Sequence, residues 1–316
     1  MLAKLLRVLR DSPGFAHKRD ISNSLGILET PANGVRNGDD CAAIPDGESH
    51  LLFAIEGFIE NFVAQMPWFA GYCGVMVNVS DIAAMGGRPI AVVDALWSQG
   101  AHEANPILEG LAVAAQRYGV PIVGGHTNQR ASHPQLAVAI VGRAKKLLSS
   151  FDARPGETLV MAVDLRGEMM EPNPFWNAST AAHAERLRAD LEILPTLAED
   201  DLCAAAKDIS MAGAIGTTLM LLESSGVGAT IDVAAIPRPT QVPLERWLQV
   251  FPSYGFILSI ESHRVAEVVE RFSRRQIAAA PIGLVQAGSE LWLAMGEKKE
   301  LLWDHAQEPF IGTGNR

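Results

Sequence analysis

The longest uncharged stretch of this chain sets the first constraint on its fold. Residues 61–80 contain no Asp, Glu, Lys, Arg or His, and Asp81 follows them. A stretch of this length is about sufficient to span a bilayer, but it also contains Gln65, Pro67 and Asn78. We therefore predict a helix buried in a globular core, beginning at Pro67, because proline is favoured at the first helical position.

The composition indicates a folded chain with an acidic surface. The sequence has 316 residues, of which 48% are hydrophobic and 20% charged, with a net charge of −10. This balance argues against a nucleic-acid partner, which requires a basic surface. Cys41, Cys73 and Cys203 are odd in number and lack a C-x-x-C spacing, so neither a disulfide framework nor a zinc site is indicated. We expect a cytoplasmic protein without a membrane segment.

Alternating strand and helix patterns predict an α+β chain of two domains. Short apolar runs bounded by Gly, Pro or acidic residues indicate strands, and longer runs that end at glycine indicate helices. Residues 145–156 combine charge, serines and a Pro-Gly pair between two strand candidates. We predict one domain over 1–146 and a second over 147–316, with a long apolar helix over 204–226.

Two acidic segments are candidates for metal binding. Asp39 and Asp40 follow a glycine, and adjacent carboxylates in such a loop suit a hard cation such as Mg²⁺. A simple Asn-Gly-Asp turn is the alternative. Asp81 lies three residues after Asn78, so the two share a face of the predicted helix. A buried charge without a partner is costly, and Arg88 is one candidate partner for Asp81.

Two further segments suit phosphate chemistry. In Gly124-Gly125-His126-Thr127, which follows a short strand candidate, paired glycines allow backbone amides to approach a phosphate. A turn is the alternative, with His126 either a ligand or a hydrogen-bonded core residue. In Lys207-Asp208-Ile209-Ser210, a carboxylate precedes a glycine-containing segment, and an ordinary helix N-cap is the alternative there.

Taken in order, these segments resemble a known superfamily. The chain is similar to aminoimidazole ribonucleotide synthase, thiamine-monophosphate kinase, a hydrogenase maturation factor and selenophosphate synthetase. The segments that carry the resemblance are GDDCA (38–42), NVSDIAAMGGRP (78–89), VPIVGGHT (120–127), DARPGE (152–157), KDIS with the glycines that follow (207–216), SSGVGATID (224–232) and APIGLV (280–285).

The resemblance implies a fold, cofactors and a set of site residues. It implies a two-domain PurM-like chain that uses ATP and Mg²⁺, in a homodimer whose N-terminal domains join their strands into an intersubunit β-barrel. The residues that it assigns are metal ligands at Asp39, Asp40, Glu56, Asp81 and Asp208, with Asp81 and Asp208 also catalytic, and nucleotide contacts at Asn78, Gly124, Gly125, His126 and Thr127.

Several positions depart from the pattern of the thiamine-monophosphate kinases. Val63 stands in place of the substrate-binding histidine, and His126 and Met211 each replace an aspartate. Ser150 stands where an arginine is expected. We therefore predict an ATP- and Mg²⁺-dependent phosphotransferase or synthetase that activates an oxygen of a small metabolite. A thiamine-monophosphate kinase and a non-catalytic nucleotide-binding protein are the alternatives.

The segment 164–177 belongs to none of the four named enzymes. Arg166, Trp176 and Asn177 offer a cation, a flat stacking surface and an amide, so we predict them as substrate contacts. A packed surface loop is the alternative. Glu60 falls where the kinases have an acid, and it is a further candidate for substrate binding.

Overall fold

The computed structural model describes residues 2–25, 27 and 35–313, which divide into two compact units. The terminal unit comprises the described residues of Met1–Asp40, Leu148–Thr180 and Leu197–Arg316, and the central unit comprises Cys41–Leu147 and Ala181–Thr196. The boundary predicted after residue 146 lies next to the junction at Leu147. Both units also include a segment from the other side of that boundary.

The described chain contains both helices and strands along its whole length. The helices are α1 (Leu2–Arg10), α2 (Pro13–Leu25), α3 (Glu60–Gln65), α4 (Pro67–Ala84), α5 (Ala101–Tyr118), α6 (Ala184–Leu191), α7 (Ile193–Glu199), α8 (Gly213–Ser225), α9 (Leu244–Trp247) and α10 (Val265–Ser273). The strands are β1 (Ala42–Asp46), β2 (Ser49–Gly57), β3 (Arg88–Gln99), β4 (Ile122–Asn128), β5 (Arg130–Ala144), β6 (Thr158–Val163), β7 (Glu168–Met169), β8 (Trp176–Asn177), β9 (Ala205–Asp208), β10 (Gly228–Asp232), β11 (Gly255–Ile260), β12 (Ala278–Gln286), β13 (Glu290–Met295) and β14 (Lys298–Asp304).

The central unit is a five-stranded sheet in the order β1-β2-β5-β3-β4, with α4 and α5 packed against it. Only the β3–β4 pair is parallel among these strands. Helix α4 begins at Pro67 and is buried continuously from Phe69 to Ala84, as its uncharged sequence predicts. Within the described residues, no helix combines the length and apolarity needed to cross a membrane.

The sheet of the central unit has an apolar face that is open to solvent in the single chain. In β2, Leu52 and Ala54 are buried, whereas Phe53 and Ile55 are 52% and 65% exposed. Because alternate residues of a strand point to opposite faces, the exposed pair lies on the face opposite to the buried pair. Val123 in β4 is also 65% exposed. Apolar residues exposed together in this way are typical of an interaction surface.

Strand β4 extends further than the sequence predicts. The segment Gly124-Gly125-His126-Thr127, predicted to follow a short strand as a phosphate-binding segment or a turn, lies within β4 and pairs with β3. Gly125 pairs with Asp94, and a Cβ atom at Gly125 would lie 2.5 Å from a carboxylate oxygen of Asp94. Glycine therefore permits the close approach of these two strands, which is one reason for a glycine outside a turn.

The terminal unit contains a seven-stranded mixed sheet in the order β14-β13-β10-β12-β6-β11-β9. The long helix predicted over 204–226 is wrong in its first part. Its residues Ala205–Asp208 form edge strand β9, which pairs antiparallel with β11, and α8 begins only at Gly213. Alanine favours helix by intrinsic propensity, but here four buried residues pair with a buried strand, and this tertiary pairing outweighs the local preference.

Helix α8 holds the C-terminal segment of the terminal unit through Glu223. The buried carboxylate of Glu223 accepts hydrogen bonds from the backbone N–H groups of Phe310, Ile311 and Gly312, at 3.0, 2.7 and 3.1 Å.

We expect Glu223→Ala to lower the free energy of unfolding by about 3 kcal/mol or more, because several buried donors lose a charged acceptor. Urea unfolding measures this loss. The exposed Glu297→Ala is the matched control, and an equal, small effect of both variants would contradict the prediction.

Candidate metal and nucleotide site

The loop before β1 is held by hydrogen bonds to the carboxylate of Asp39. The two carboxylate oxygens of Asp39 accept hydrogen bonds from the hydroxyl of Ser149 at 2.7 Å and from the hydroxyl and backbone N–H of Ser150 at 2.5 and 3.0 Å. Gly38 precedes it with φ +115°, a conformation that favours glycine. Ser150, in the position where the kinase pattern has an arginine, therefore has a clear local role: it donates to Asp39.

Asp40 lies in a buried ion pair with Lys207. One carboxylate oxygen of Asp40 contacts the Lys207 ammonium, and the other accepts the backbone N–H of Asp208 at 3.2 Å. Both side chains of the pair are 6% exposed. The terminal unit thus places the carboxylates of Asp39, Asp40 and Asp208 around one lysine. Lys207 is not among the site residues predicted from the sequence, although a lysine in the apolar strand sequence AAKD is a usable signal.

Burial and the neighbouring charges shift the pKa values of Lys207 and Asp39. Burial disfavours the ammonium of Lys207, but Asp40, Asp39 and Asp208 outweigh this effect, and the pKa of Lys207 is raised. Burial also raises the pKa of Asp39, against the lowering effect of Lys207. Lys207 is therefore protonated at neutral pH, and its single positive charge is surrounded by three carboxyl groups.

The donor set of the cluster fits a hard divalent cation. Carboxylate oxygens are the protein ligands that Mg²⁺ prefers, and Mg²⁺ sites commonly use one or two of them together with phosphate oxygens. The carboxylate of Asp40, in the loop before β1, accepts the backbone N–H of Asp208, which is the last residue of the buried edge strand β9. Asp40 and Asp208 are the two residues of the terminal unit best placed to hold Mg²⁺.

In the central unit, the C-terminal part of α4 carries buried polar residues. Asn78 and Asp81 are 0% and 4% exposed. The amide of Asn78 donates to the carbonyl oxygens of Gly74 and Val138, at 2.8 and 3.0 Å. Its side-chain oxygen is buried and has no hydrogen-bond partner within the residues that the structure describes. Arg88, the candidate partner of Asp81, forms an ion pair with Glu192.

Glu56 lies on the sheet of the central unit, two strands away from Asp94, which is not among the site residues predicted from the sequence. Glu56 in β2 and Asp94 in β3 both pair with Val138, which lies between them in β5. Burial raises the pKa of Asp94. Strand β3, which is separated from β2 by β5, therefore supplies a second carboxylate at the level of Glu56, and only the register of the sheet reveals it.

His126 and Glu60 lie at accessible positions of the central unit. His126 is exposed in β4, with its ring centroid 6.3 Å from that of Trp97. Glu60 is in the first turn of α3, and its carboxylate lies 3.5 Å from the ring of His133. Thr127 follows His126 in the same strand. The roles predicted for these residues in ligand binding stay predictions.

The three residues predicted as substrate contacts in segment 164–177 have partners within the terminal unit. Trp176 is 1% exposed, packs against Trp247 at a centroid distance of 5.1 Å and donates its indole N–H to the backbone oxygen of Asp164. Arg166 contacts both carboxylate oxygens of Asp164, at 2.7 and 3.1 Å. The indole that was predicted as a stacking surface therefore lies in the core.

Asn177, the third of these residues, stabilises the turn that follows it. Its amide donates to the hydroxyl of Thr180 at 2.6 Å, and its carbonyl oxygen accepts the backbone N–H groups of Ser179 and Thr180. These contacts are local to 177–180. They support the alternative of a packed loop, while contact with a substrate remains a prediction.

The two units and their mixed sheets of strands and helices define a two-domain α+β protein of the PurM-like type. The chain belongs to the family of AIR synthase related proteins: the N-terminal domain of that family matches residues 38–144, and the C-terminal domain matches residues 157–294. The uncharacterized protein sll0787 of Synechocystis sp. is 46% identical over 321 aligned residues, covering 100% of both chains. The thiamine-monophosphate kinase of Pyrococcus horikoshii is 26% identical, covering 85% of this chain and 90% of the kinase.

Solved structures share the fold. The protein AaThiL, in complex with AMPPCP and TMP, matches with a TM-score of 0.67 at 19% identity, covering 92% of this chain and 96% of that one. PurL of Thermotoga maritima, in complex with ADP, matches with a TM-score of 0.75 at 17% identity over 98% of this chain. This chain spans 55% of that PurL chain. These structures confirm the predicted two-domain PurM-like fold.

Proposed function

We propose that this chain binds ATP with Mg²⁺ and activates an oxygen of a small metabolite by phosphoryl transfer, with release of ADP. The observation that carries the proposal is the buried arrangement of Asp40, Lys207 and Asp208 at the end of β9. Phosphoryl transfer is catalysed mainly by positioning and by neutralising charge, and this arrangement supplies acidic metal ligands beside a fixed positive charge.

The proposed metal ligands of the terminal unit are Asp40 and Asp208, while Asp39 orients the loop that contains Asp40. When bound, Mg²⁺ would neutralise negative charge on the phosphate oxygens. We further propose, from the resemblance, metal ligands at Asp81 and Glu56 and nucleotide contacts at Asn78 and 124–127. The AaThiL structure in complex with AMPPCP and the PurL structure in complex with ADP support a nucleotide as the ligand.

The test of this function is ADP release measured with a coupled assay across a panel of small hydroxyl- and carboxylate-bearing metabolites. We expect Mg²⁺-dependent ADP release with at least one acceptor. Nucleotide binding without turnover on any acceptor favours the non-catalytic binding protein, and the absence of any Mg²⁺-dependent nucleotide binding contradicts both.

A thiamine-monophosphate kinase is the second candidate, favoured by the 26% identity to the Pyrococcus horikoshii enzyme. Val63 stands where the kinases have a substrate-binding histidine, and this side chain is fully buried. A buried valine cannot donate a hydrogen bond to a phosphorylated substrate. We expect no ADP release with thiamine monophosphate, and turnover with that substrate would restore the kinase assignment.

We also propose a homodimer formed through the open apolar face of the central sheet, with a second copy of this chain as the partner. The resemblance implies this arrangement, and the exposure of Phe53, Ile55 and Val123 supports it. Burial of apolar side chains is the main favourable term in association of this kind.

Sedimentation velocity tests the dimer directly. We expect the wild-type protein to sediment as a dimer at micromolar concentration and the double variant Ile55→Lys, Val123→Lys to sediment as a monomer, because each lysine would have to bury a charge. Leu108→Lys, on the exposed surface of α5, is the matched control and should remain dimeric. A monomeric wild-type protein would contradict the proposal.

A further inference from the structure

Lys207 contacts the carboxylate of Asp40, which also accepts the backbone N–H of Asp208. The two oxygens of Asp40 accept from the Lys207 ammonium and from the N–H of Asp208, so both already have donors from the protein. Lys207 is itself 4% exposed and belongs to strand β9. The protein thus supplies a cation of its own at the position where the proposed function requires a metal ion.

An ammonium and a divalent cation compete for the same carboxylate. Two positive charges held a few ångströms apart repel each other, and the repulsion is strong where water is largely excluded. While Lys207 contacts Asp40, divalent metal alone therefore binds there at a disadvantage. That disadvantage disappears when the ammonium has another anionic partner.

We infer that Lys207 makes metal binding at Asp40 conditional on a phosphate-bearing ligand: its ammonium leaves Asp40 for a phosphate oxygen when the ligand binds with the metal. This inference rests on the proposed function and adds a specificity for metal–phosphate complexes over free metal. A lysine suits the role because its charge is compact and sits on a flexible four-carbon stem, whereas the strand that carries it stays in the sheet.

Manganese binding without nucleotide tests the first half of the inference. In electron paramagnetic resonance titrations with Mn²⁺ alone, we expect Lys207→Met to bind at least about tenfold more tightly than wild type, since the competing cation is gone. Lys207→Arg, which keeps the charge, and the exposed Lys298→Met should both resemble wild type. Equal Mn²⁺ affinity of Lys207→Met and wild type would overturn the inference.

The second half is tested on the wild-type protein, so it does not depend on the folding of a variant. The ¹⁵Nζ resonance of Lys207, assigned by its loss in Lys207→Arg, should stay in place when Mg²⁺ alone is added and should shift when Mg²⁺ and AMPPCP are added together. A shift with Mg²⁺ alone, or no shift while calorimetry shows AMPPCP bound, would overturn the inference. A protein that binds no AMPPCP with Mg²⁺ instead contradicts the proposed function.

Discussion

Asp208→Asn is expected to weaken Mg²⁺-dependent nucleotide binding by at least about a hundredfold and to abolish ADP release. The change removes one negative charge from a buried position and leaves the shape of the side chain nearly unchanged. An amide oxygen is a poor substitute for a carboxylate at a metal that must also hold phosphate oxygens. Asp208 is 1% exposed, so bulk water has little access to replace the lost carboxylate.

Calorimetry with AMPPCP in the presence of Mg²⁺ measures the effect on binding, and the coupled assay measures the effect on turnover. Asp152→Asn, a change of the same kind at an exposed carboxylate of the terminal unit, is the matched control and should bind as wild type. Thermal unfolding should show that both variants are folded. If Asp208→Asn binds the Mg²⁺–nucleotide complex like its control, Asp208 is not a metal ligand.

Lys207→Met is expected to lower the free energy of unfolding by about 3–5 kcal/mol when divalent metal is removed by EDTA. Breaking a buried ion pair leaves its other member as an uncompensated charge, and this is the origin of the large cost. Here the remaining charge is Asp40, whose side chain is only 6% exposed. Two further carboxylates, Asp39 and Asp208, act on the same lysine and increase the effect.

A double-mutant cycle separates the ion pair from the packing of the lysine stem. The variant Lys207→Met, Asp40→Asn removes both charges, and we expect it to recover most of the stability that Lys207→Met loses. Urea unfolding at neutral pH in EDTA measures all four proteins of the cycle. A cost below about 1 kcal/mol for Lys207→Met, the range of exposed ion pairs, would show that the pair contributes little to the folded state.

Local sequence is sufficient to predict helix α4. The residues from 61 to 80 lack charge, Pro67 marks the start of the helix and the Gly86-Gly87 pair follows its end. All of these signals lie within the element itself. The acids of the motifs around 38–42 and 78–89 were likewise recognisable because their spacing is a property of short segments.

The contacts that build the cluster could not be predicted in the same way. Lys207 and Asp40 are separated by 167 positions, so their ion pair depends on how the chain returns to the terminal unit. Strand β9 was mistaken for helix because alanine and lysine favour helix locally. The segment forms a strand because it pairs with β11, and β11 lies about fifty residues away in sequence.

The sequence alone does not distinguish a core position from a surface position for Trp176. A tryptophan beside prolines in an irregular segment fits a stacking surface as well as a core position, since its large ring suits both. The structure places its ring edge-on to Trp247, on another segment of the terminal unit. The glycine pair 124–125 was ambiguous for a similar reason, because a glycine serves both a turn and a close approach between strands.

Isothermal titration of the wild-type protein with AMPPCP, once with Mg²⁺ and once with EDTA, tests the central claim most directly. We expect saturable binding at one site per chain with Mg²⁺, and binding weakened by at least about tenfold in EDTA, because the carboxylates of the cluster then repel the phosphates. Equal binding in both buffers, or no binding in either, would contradict the claim that these carboxylates hold a metal–nucleotide complex.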